Sequence, residues 1–113
     1  MKHDIPKYLE DVLLSIKDIE NYSTGIENVT QLQNNQMLFD ALCRRFAIIG
    51  EAIYQINNLD RTINITDKHK IMGLRHIIVH DYDMVRPADI FLIISKNLSL
   101  LKSETIALLE ILG

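Results

Sequence analysis

Glycine and proline are scarce in this chain: its 113 residues include four glycines and two prolines. These two residue types dominate the turns of sheets and loop-rich folds, so most of the chain lacks strong helix breakers. Apolar residues make up 48% of the sequence and charged residues 24%, which is ordinary for a globular protein with one core. We therefore expect a single helical domain over residues 1–113.

Three long stretches repeat apolar residues at the spacing of a helix that is packed on one face. They cover positions 8–19, 38–56 and 90–112, and Pro87 stands where the first turn of the last helix is expected. A polar stretch at positions 31–36 separates the first helix from the second. The spacing thus predicts three long helices.

A fourth, shorter helix is predicted from Asp67 to about Val79, with Thr66 or Asp67 as its N-cap. Ile77, Ile78 and Val79 are β-branched and would also suit a strand. A lone strand has no partner for its backbone hydrogen bonds, so helix is the preferred interpretation. The sequence thus predicts an all-α, up-down bundle of four main helices, with room for a short fifth.

Gly50 and Gly73 stand inside helical stretches, where each costs about 1 kcal/mol relative to alanine. Such glycines either allow two helices to approach closely or make room beside a ligand. We favour close helix approach at both positions.

The only cysteine, Cys43, cannot form an internal disulfide and is interpreted as a small buried apolar residue. Five of the first eleven residues are charged, which leaves no apolar segment for a signal peptide. The longest purely apolar run, Ile90 to Ile94, is far shorter than the roughly 20 residues that span a bilayer. We expect a cytoplasmic protein without a membrane segment.

The net charge of −3 conceals a basic centre. Residues 44–86 carry seven Lys and Arg against five Asp and Glu, together with three of the four histidines. An anionic partner should meet this segment. Its positive charge is too small to hold long nucleic acid alone, so RNA binding would need a dimer that joins two such segments.

Residues 73–82 contain most of the candidate catalytic side chains. These are Arg75, His76, His80 and Tyr82, near the end of the short helix. Arginine offers a fixed cationic fork for phosphate, and histidine exchanges protons near neutral pH. An arginine and a histidine together suffice for phosphodiester cleavage without metal. The alternative is structural, because both residue types also complement the dipole at a helix C-terminus.

Arg75 and His80 are five residues apart, so they lie about 140° apart around an ideal helix. They could converge if the helix ended before His80, or across a subunit boundary. His76 and His80 share a face as zinc-binding pairs do, but no glutamate follows His76, and the third-ligand candidates Asp81 and Asp83 are generic. We predict neither a metal nor another cofactor.

Arg44 and Glu51 are seven residues apart, which places them two turns apart on one helix face. They could be a charge pair of little consequence. The functional alternative is that Arg44 adds positive potential to the site and Glu51 holds Arg75 or His80 in place. By contrast, the tyrosines of the first two helices are interpreted as packing aromatics with hydrated hydroxyls; these are Tyr8, Tyr22 and Tyr54.

The pattern Arg-x4-His-x-Tyr, filled by Arg75, His80 and Tyr82, resembles the signature of HepT toxins in the HEPN superfamily. The preceding residues 72–74 resemble the lead-in to that motif, and residues 44–52 resemble the family's second-helix segment. The similarity covers nearly the whole chain, with both motifs in the expected order.

This resemblance implies a dimeric helical bundle that brings two Arg-x4-His motifs into one cleft. It also implies a metal-independent endoribonuclease that is the toxin of a type II toxin–antitoxin pair. Arg75 would stabilise the scissile phosphate and His80 would act as general base or acid, while His76 stands where the family usually has another polar residue, most often asparagine. The antitoxin would be an MNT-type nucleotidyltransferase that can transfer AMP to Tyr82, which would block the cleft and repel RNA.

A competing hypothesis belongs to a different functional class. The same fold could be a non-catalytic interaction module that binds a nucleotidyltransferase, with Arg75 and His80 holding a nucleotide or organising the interface. The low basic charge favours this hypothesis, and the intact motif favours the nuclease. No residue pattern in the chain identifies an RNA target.

Overall fold

The computed structural model describes residues 4–113, and these residues fold into six α-helices and one 3₁₀ turn, with no strand among them. The helices are α1 (Ile5–Tyr22), α2 (Val29–Gln33), α3 (Gln36–Leu59), α4 (Lys68–His80), α5 (Pro87–Lys96) and α6 (Leu98–Leu112). The 3₁₀ turn, Tyr82–Met84, lies between α4 and α5. The all-α prediction is confirmed, and the β-branched run at 77–79 is helical as expected.

The core lies mainly between α1 and α3, the two longest helices. Leu9 and Ile16 of α1 and Ile49 and Ile53 of α3 are fully buried. Cys43 is buried among them, as the sequence predicted. Ion pairs at the edges add to this packing, with Arg45 to Asp18 at 3.3 Å joining α3 to α1 and Lys102 to Glu20 at 2.9 Å joining α6 to α1.

The last predicted helix is divided into α5 and α6 at Asn97. The amide of Asn97 donates to Asp67 at the start of α4, with Nδ2 and Oδ2 3.4 Å apart. Asp67 occupies the N-cap position as predicted, but in a left-handed conformation with φ of 59° and without a capping hydrogen bond from its side chain. Its carboxylate instead ties the start of α4 to the joint between α5 and α6.

The polar stretch after α1 also contains a short helix, α2. The side chain of Asn28 accepts a hydrogen bond from the backbone N–H of Gln31 and so caps this helix. Leu32 anchors α2 in the core, with 1% of its surface exposed. The bundle therefore has four main helical segments, of which the last is bent, and one short additional helix.

Helix α4 contains no fully buried residue, unlike α1 and α3. Its half-buried residues Ile71, Leu74 and Ile78 rest on the core, whereas Ile77 and Val79 are exposed. The motif region therefore lies on the surface of the bundle, accessible to a large partner. Among the helices of residues 4–113, none has both the length and the apolar character needed to cross a bilayer.

Candidate active site

Gly50 of α3 lies directly against Arg75 of α4. A Cβ atom added at Gly50 would collide with the Cβ of Arg75 and would lie 3.1 Å from the carbonyl oxygen of Ile71. Close helix approach is therefore confirmed at Gly50. It is wrong for Gly73, where an added Cβ would meet no atom within 4 Å.

An ion pair fixes the far end of the Arg75 side chain. Its Nη2 lies 3.1 Å from Oε1 of Glu51, and both side chains are partly exposed, at 30% and 42%. The other oxygen of Glu51 accepts a hydrogen bond of 2.8 Å from Nε2 of Gln55, which fixes the carboxylate itself. Because a guanidinium has five N–H donors, this contact leaves donors for a phosphate.

Arg75 and Glu51 share a cavity of about 310 Å³ with Arg44, between α1, α3 and α4; we call it the arginine pocket. The expectation that Arg44 and Glu51 lie on one face is confirmed, because both line this pocket. Two residues of α1, Tyr8 and Asp11, also line it. Sequence reasoning missed both, because Tyr8 continues an apolar stripe and Asp11 is one of several charged residues of α1 that no pattern distinguishes.

The two histidines lie outside the arginine pocket. His76 and His80 are exposed, with ring centroids 4.6 Å apart and planes at 50° to each other. Helix α4 continues through His80, so the helix does not end early enough to turn this side chain toward Arg75. Within residues 4–113, no group of three or more His, Cys, Asp and Glu side chains is placed to hold a metal ion.

Tyr82 follows α4 and points toward the first turns of α3. Its hydroxyl donates a hydrogen bond to Oδ1 of Asp40, and its ring lies against Phe39 with centroids 6.0 Å apart. Nε2 of Gln36 donates to the same oxygen of Asp40 at 2.9 Å. We call these two hydrogen bonds and the ring contact the tyrosine clamp.

The tyrosine clamp shifts the pKa values of its members. Partial burial raises the pKa of Tyr82, and the hydrogen bond to Asp40 raises it further. The hydrogen bonds from Tyr82 and Gln36 lower the pKa of Asp40. Burial raises the pKa of the neighbouring Cys43 thiol to about 12, with a further contribution from the charge of Asp40. At neutral pH the clamp therefore consists of a neutral phenol and an ionised carboxylate.

Comparison with known proteins agrees with the motif. The family model of the HepT-like ribonucleases matches residues 12–108, a range that includes α3, α4 and the tyrosine clamp. A protein of Methanocaldococcus jannaschii that carries the provisional name of an RNase is 30% identical over 105 residues, which is 91% of this chain and 94% of that protein. No solved structure matches significantly. Both matches extend over nearly the whole bundle, and the chain belongs to the HepT-like ribonuclease family.

Proposed function

We propose that this protein is a metal-independent endoribonuclease and the toxin of a type II toxin–antitoxin pair. Family membership supports ribonuclease activity. The observation that carries the proposal is the position of Arg75. Its side chain packs against Gly50, forms an ion pair with Glu51 and lines the same pocket as a second arginine, Arg44. A prepositioned guanidinium of this kind suits the charge that develops on phosphorus oxygens during cleavage.

In the proposed reaction, Arg75 and Arg44 of one copy bind the scissile phosphate, and His76 from the second copy of a homodimer supports it through a hydrogen bond. His80 of the same second copy takes the proton of the ribose 2′-hydroxyl, whose oxygen then attacks phosphorus. The bond to the 5′-oxygen breaks, and that oxygen leaves with the proton that this His80 returns as general acid. One product therefore ends in a cyclic phosphate.

The homodimer is part of the proposal because one chain does not bring its own Arg75 and His80 together. The exposed residues Ile77 and Val79 lie beside these side chains, and apolar side chains on a surface are typical of protein contacts. A second copy packed along α4 would place another His80 near the arginine pocket. It would also double the basic surface available to RNA.

We further propose that an MNT-type nucleotidyltransferase neutralises the toxin by transferring AMP to Tyr82. Tyr82 is accessible, because 39% of its surface is exposed, and it lies two residues from His80. A phosphodiester-linked nucleotide there would add negative charge beside the cleft and repel the RNA backbone.

The decisive experiment measures cleavage of mixed cellular RNA in EDTA by the wild type, His80→Ala and His69→Ala. His69 is an exposed histidine at the other end of α4 and serves as the matched control. We expect His80→Ala to lower the rate at least about 100-fold, because general acid–base catalysis contributes that much. His69→Ala should retain wild-type activity, and the products should carry cyclic phosphate ends.

Cleavage that disappears in EDTA and returns with a divalent cation would contradict the metal-independent mechanism. Equal cleavage by the wild type and a folded His80→Ala variant would show that His80 has no role in the reaction.

One observation favours a second candidate, the non-catalytic partner of a nucleotidyltransferase. The residues that line the arginine pocket carry no net charge, because Arg44 and Arg75 occur with Glu51 and Asp11; Lys7, outside the lining, pairs with Asp11 at 3.2 Å. This candidate predicts that a folded wild-type dimer cleaves no RNA and that expression without the nucleotidyltransferase does not arrest growth. The toxin predicts the opposite result in both measurements.

A further inference from the structure

The tyrosine clamp holds the hydroxyl of Tyr82 in one orientation, although the side chain is 39% exposed. An exposed tyrosine hydroxyl usually finds its partner in water, whereas this one donates to a carboxylate from a different helix. We propose that Asp40 orients the Tyr82 hydroxyl for nucleotidyl transfer and accepts its proton during the reaction. This inference rests on the proposed function, because it concerns how Tyr82 is modified.

The contacts of the tyrosine clamp suit this role. The ring of Tyr82 is steadied by Phe39, which is itself only 5% exposed. Gln36 donates a second hydrogen bond to Oδ1 of Asp40, which restricts the rotation of the acceptor. Because the hydroxyl proton is directed at Asp40, the lone pairs of the Tyr82 oxygen are available to an electrophile.

The reaction requires a nucleoside triphosphate, which the partner nucleotidyltransferase supplies. The oxygen of Tyr82 attacks the α-phosphorus and forms the new O–P bond. The bond between the α-phosphorus and the bridging oxygen to the β-phosphate breaks, and pyrophosphate leaves. The phenolic proton passes to Asp40, because the hydroxyl becomes more acidic as its oxygen bonds to phosphorus.

A proton acceptor matters here because Tyr82 is a neutral phenol at physiological pH, and the phenolate is the stronger nucleophile. Asp40 is ionised and already in hydrogen-bond contact with the hydroxyl, as a general base must be. The other titratable group of α3 near this hydroxyl is Cys43, whose pKa of about 12 keeps its thiol neutral. Asp40 is therefore the nearby group of α3 that is able to take the proton.

Asp40 lies outside the arginine pocket, so its role in modification is separable from RNA cleavage. This separation allows a direct test with the full chain, the proposed MNT-type nucleotidyltransferase partner and ATP with Mg²⁺. The variants are Asp40→Asn, Asp40→Glu, Tyr82→Phe and Asp83→Asn, the last being a matched change of an exposed carboxylate next to Tyr82. Intact-mass spectrometry follows the addition of AMP, and a second assay follows RNA cleavage by the unmodified protein.

We expect Asp40→Asn to slow modification about 100-fold, the usual contribution of a general base. Its rate should rise with pH as more phenolate forms, whereas the wild-type rate should depend less on pH. Asp40→Glu, which keeps a carboxylate, should be faster than Asp40→Asn. Asp83→Asn should be modified like the wild type, Tyr82→Phe should not be modified, and Asp40→Asn should still cleave RNA.

The outcomes separate this inference from the proposed function. A wild-type protein that accepts no AMP would overturn the proposed modification and this inference with it. A modified wild type with Asp40→Asn equally fast would overturn the inference alone. So would an Asp40→Asn variant that is slow but keeps the wild-type pH profile, or an Asp40→Glu variant no faster than Asp40→Asn.

Discussion

At the scale of single residues, the position of Arg75 depends on groups that its own helix does not provide. Gly50 gives its stem room, and Glu51 binds its guanidinium at 3.1 Å. The two α3 residues are adjacent in sequence, so one turn of α3 both admits and orients the arginine. We infer that the site is sensitive to changes in α3 that leave the motif untouched.

Glu51→Gln should lower RNA cleavage about 10- to 100-fold, because an arginine misplaced by about 1 Å loses that much catalysis. The free energy of unfolding should change by less than about 1 kcal/mol, since the ion pair is partly exposed. Single-turnover cleavage and urea denaturation measure the two effects. Glu10→Gln, a change of an exposed acid on α1, is the control. Equal activity in both variants would contradict the proposal that the ion pair with Glu51 positions Arg75 for catalysis.

Tyr82 should titrate above the range of an ordinary tyrosine, and Asp40→Asn should lower its pKa toward the usual value near 10. The substitution removes the negative charge and leaves a neutral amide oxygen as a weaker acceptor, while the effects of burial and of Cys43 remain. Ultraviolet titration of tyrosine ionisation measures the shift against Tyr82→Phe. An unchanged pKa in Asp40→Asn would mean that burial and the neighbouring Cys43, and not Asp40, raise the pKa of Tyr82.

The raised pKa of Tyr82 also makes the free energy of unfolding depend on pH. Below about pH 10 the phenol is neutral in the folded and unfolded chains, so its contribution is fully present. As the pH rises further, the unfolded chain ionises first and the native state loses this contribution. We expect the free energy of unfolding to fall more steeply above pH 10 in the wild type than in Tyr82→Phe.

At the scale of helices, the two internal glycines are not equivalent. Gly50 lies under Arg75 at the contact between α3 and α4, whereas Gly73 faces open space. Their surroundings therefore decide the effect of the same substitution, although both glycines have an unfavourable helix propensity.

Gly50→Ala should destabilise the protein by about 1–3 kcal/mol, the usual cost of forcing a methyl group into a packed contact, and should reduce cleavage by displacing Arg75. Gly73→Ala should stabilise it by up to about 1 kcal/mol through helix propensity. Thermal or urea denaturation of the two variants checks both signs. Similar destabilisation in both would contradict the difference in packing.

The sequence predicts the helices well where the apolar period alone decides the structure. It predicts α1, α3 and α4 within a few residues, because each has one apolar face and clear ends. It does not predict the break at Asn97, because Ile94 and Leu98 continue the same stripe across it. The break coincides with a contact between Asn97 and Asp67, which are 30 residues apart, and no local pattern records it.

At the scale of the whole molecule, the arginine pocket and the histidines lie on different sides of α4 in one chain. The sequence predicted that Arg44 and Glu51 share a helix face, and their position beside Arg75 was one of two alternatives that it left open. It did not predict Asp40 beside Tyr82, because that contact spans 42 residues and involves side chains without a periodic signal. In the proposed dimer, a second copy would bring its His80 to Arg75.

Val79→Asp should weaken the proposed dimer and reduce cleavage, because Val79 lines the arginine pocket, is 51% exposed and lies next to His80. Ile111→Asp places the same charge at a residue that is 78% exposed near the end of α6. We expect this control to remain dimeric and active. Sedimentation velocity and the dependence of cleavage on protein concentration measure the effect; an active, dimeric Val79→Asp variant would exclude this face.

The close packing of Arg75 against Gly50 also affects how related sequences should be interpreted. A relative could retain the arginine and histidine of the motif yet carry a larger side chain at the position of Gly50. That side chain would collide with the stem of the arginine, so the arginine could not occupy the same position. Counting such a chain as an active toxin would be an error that the short motif cannot reveal. A longer signature that adds Gly50 and Glu51 of α3 would separate relatives with a complete site from relatives that have lost the support for the arginine.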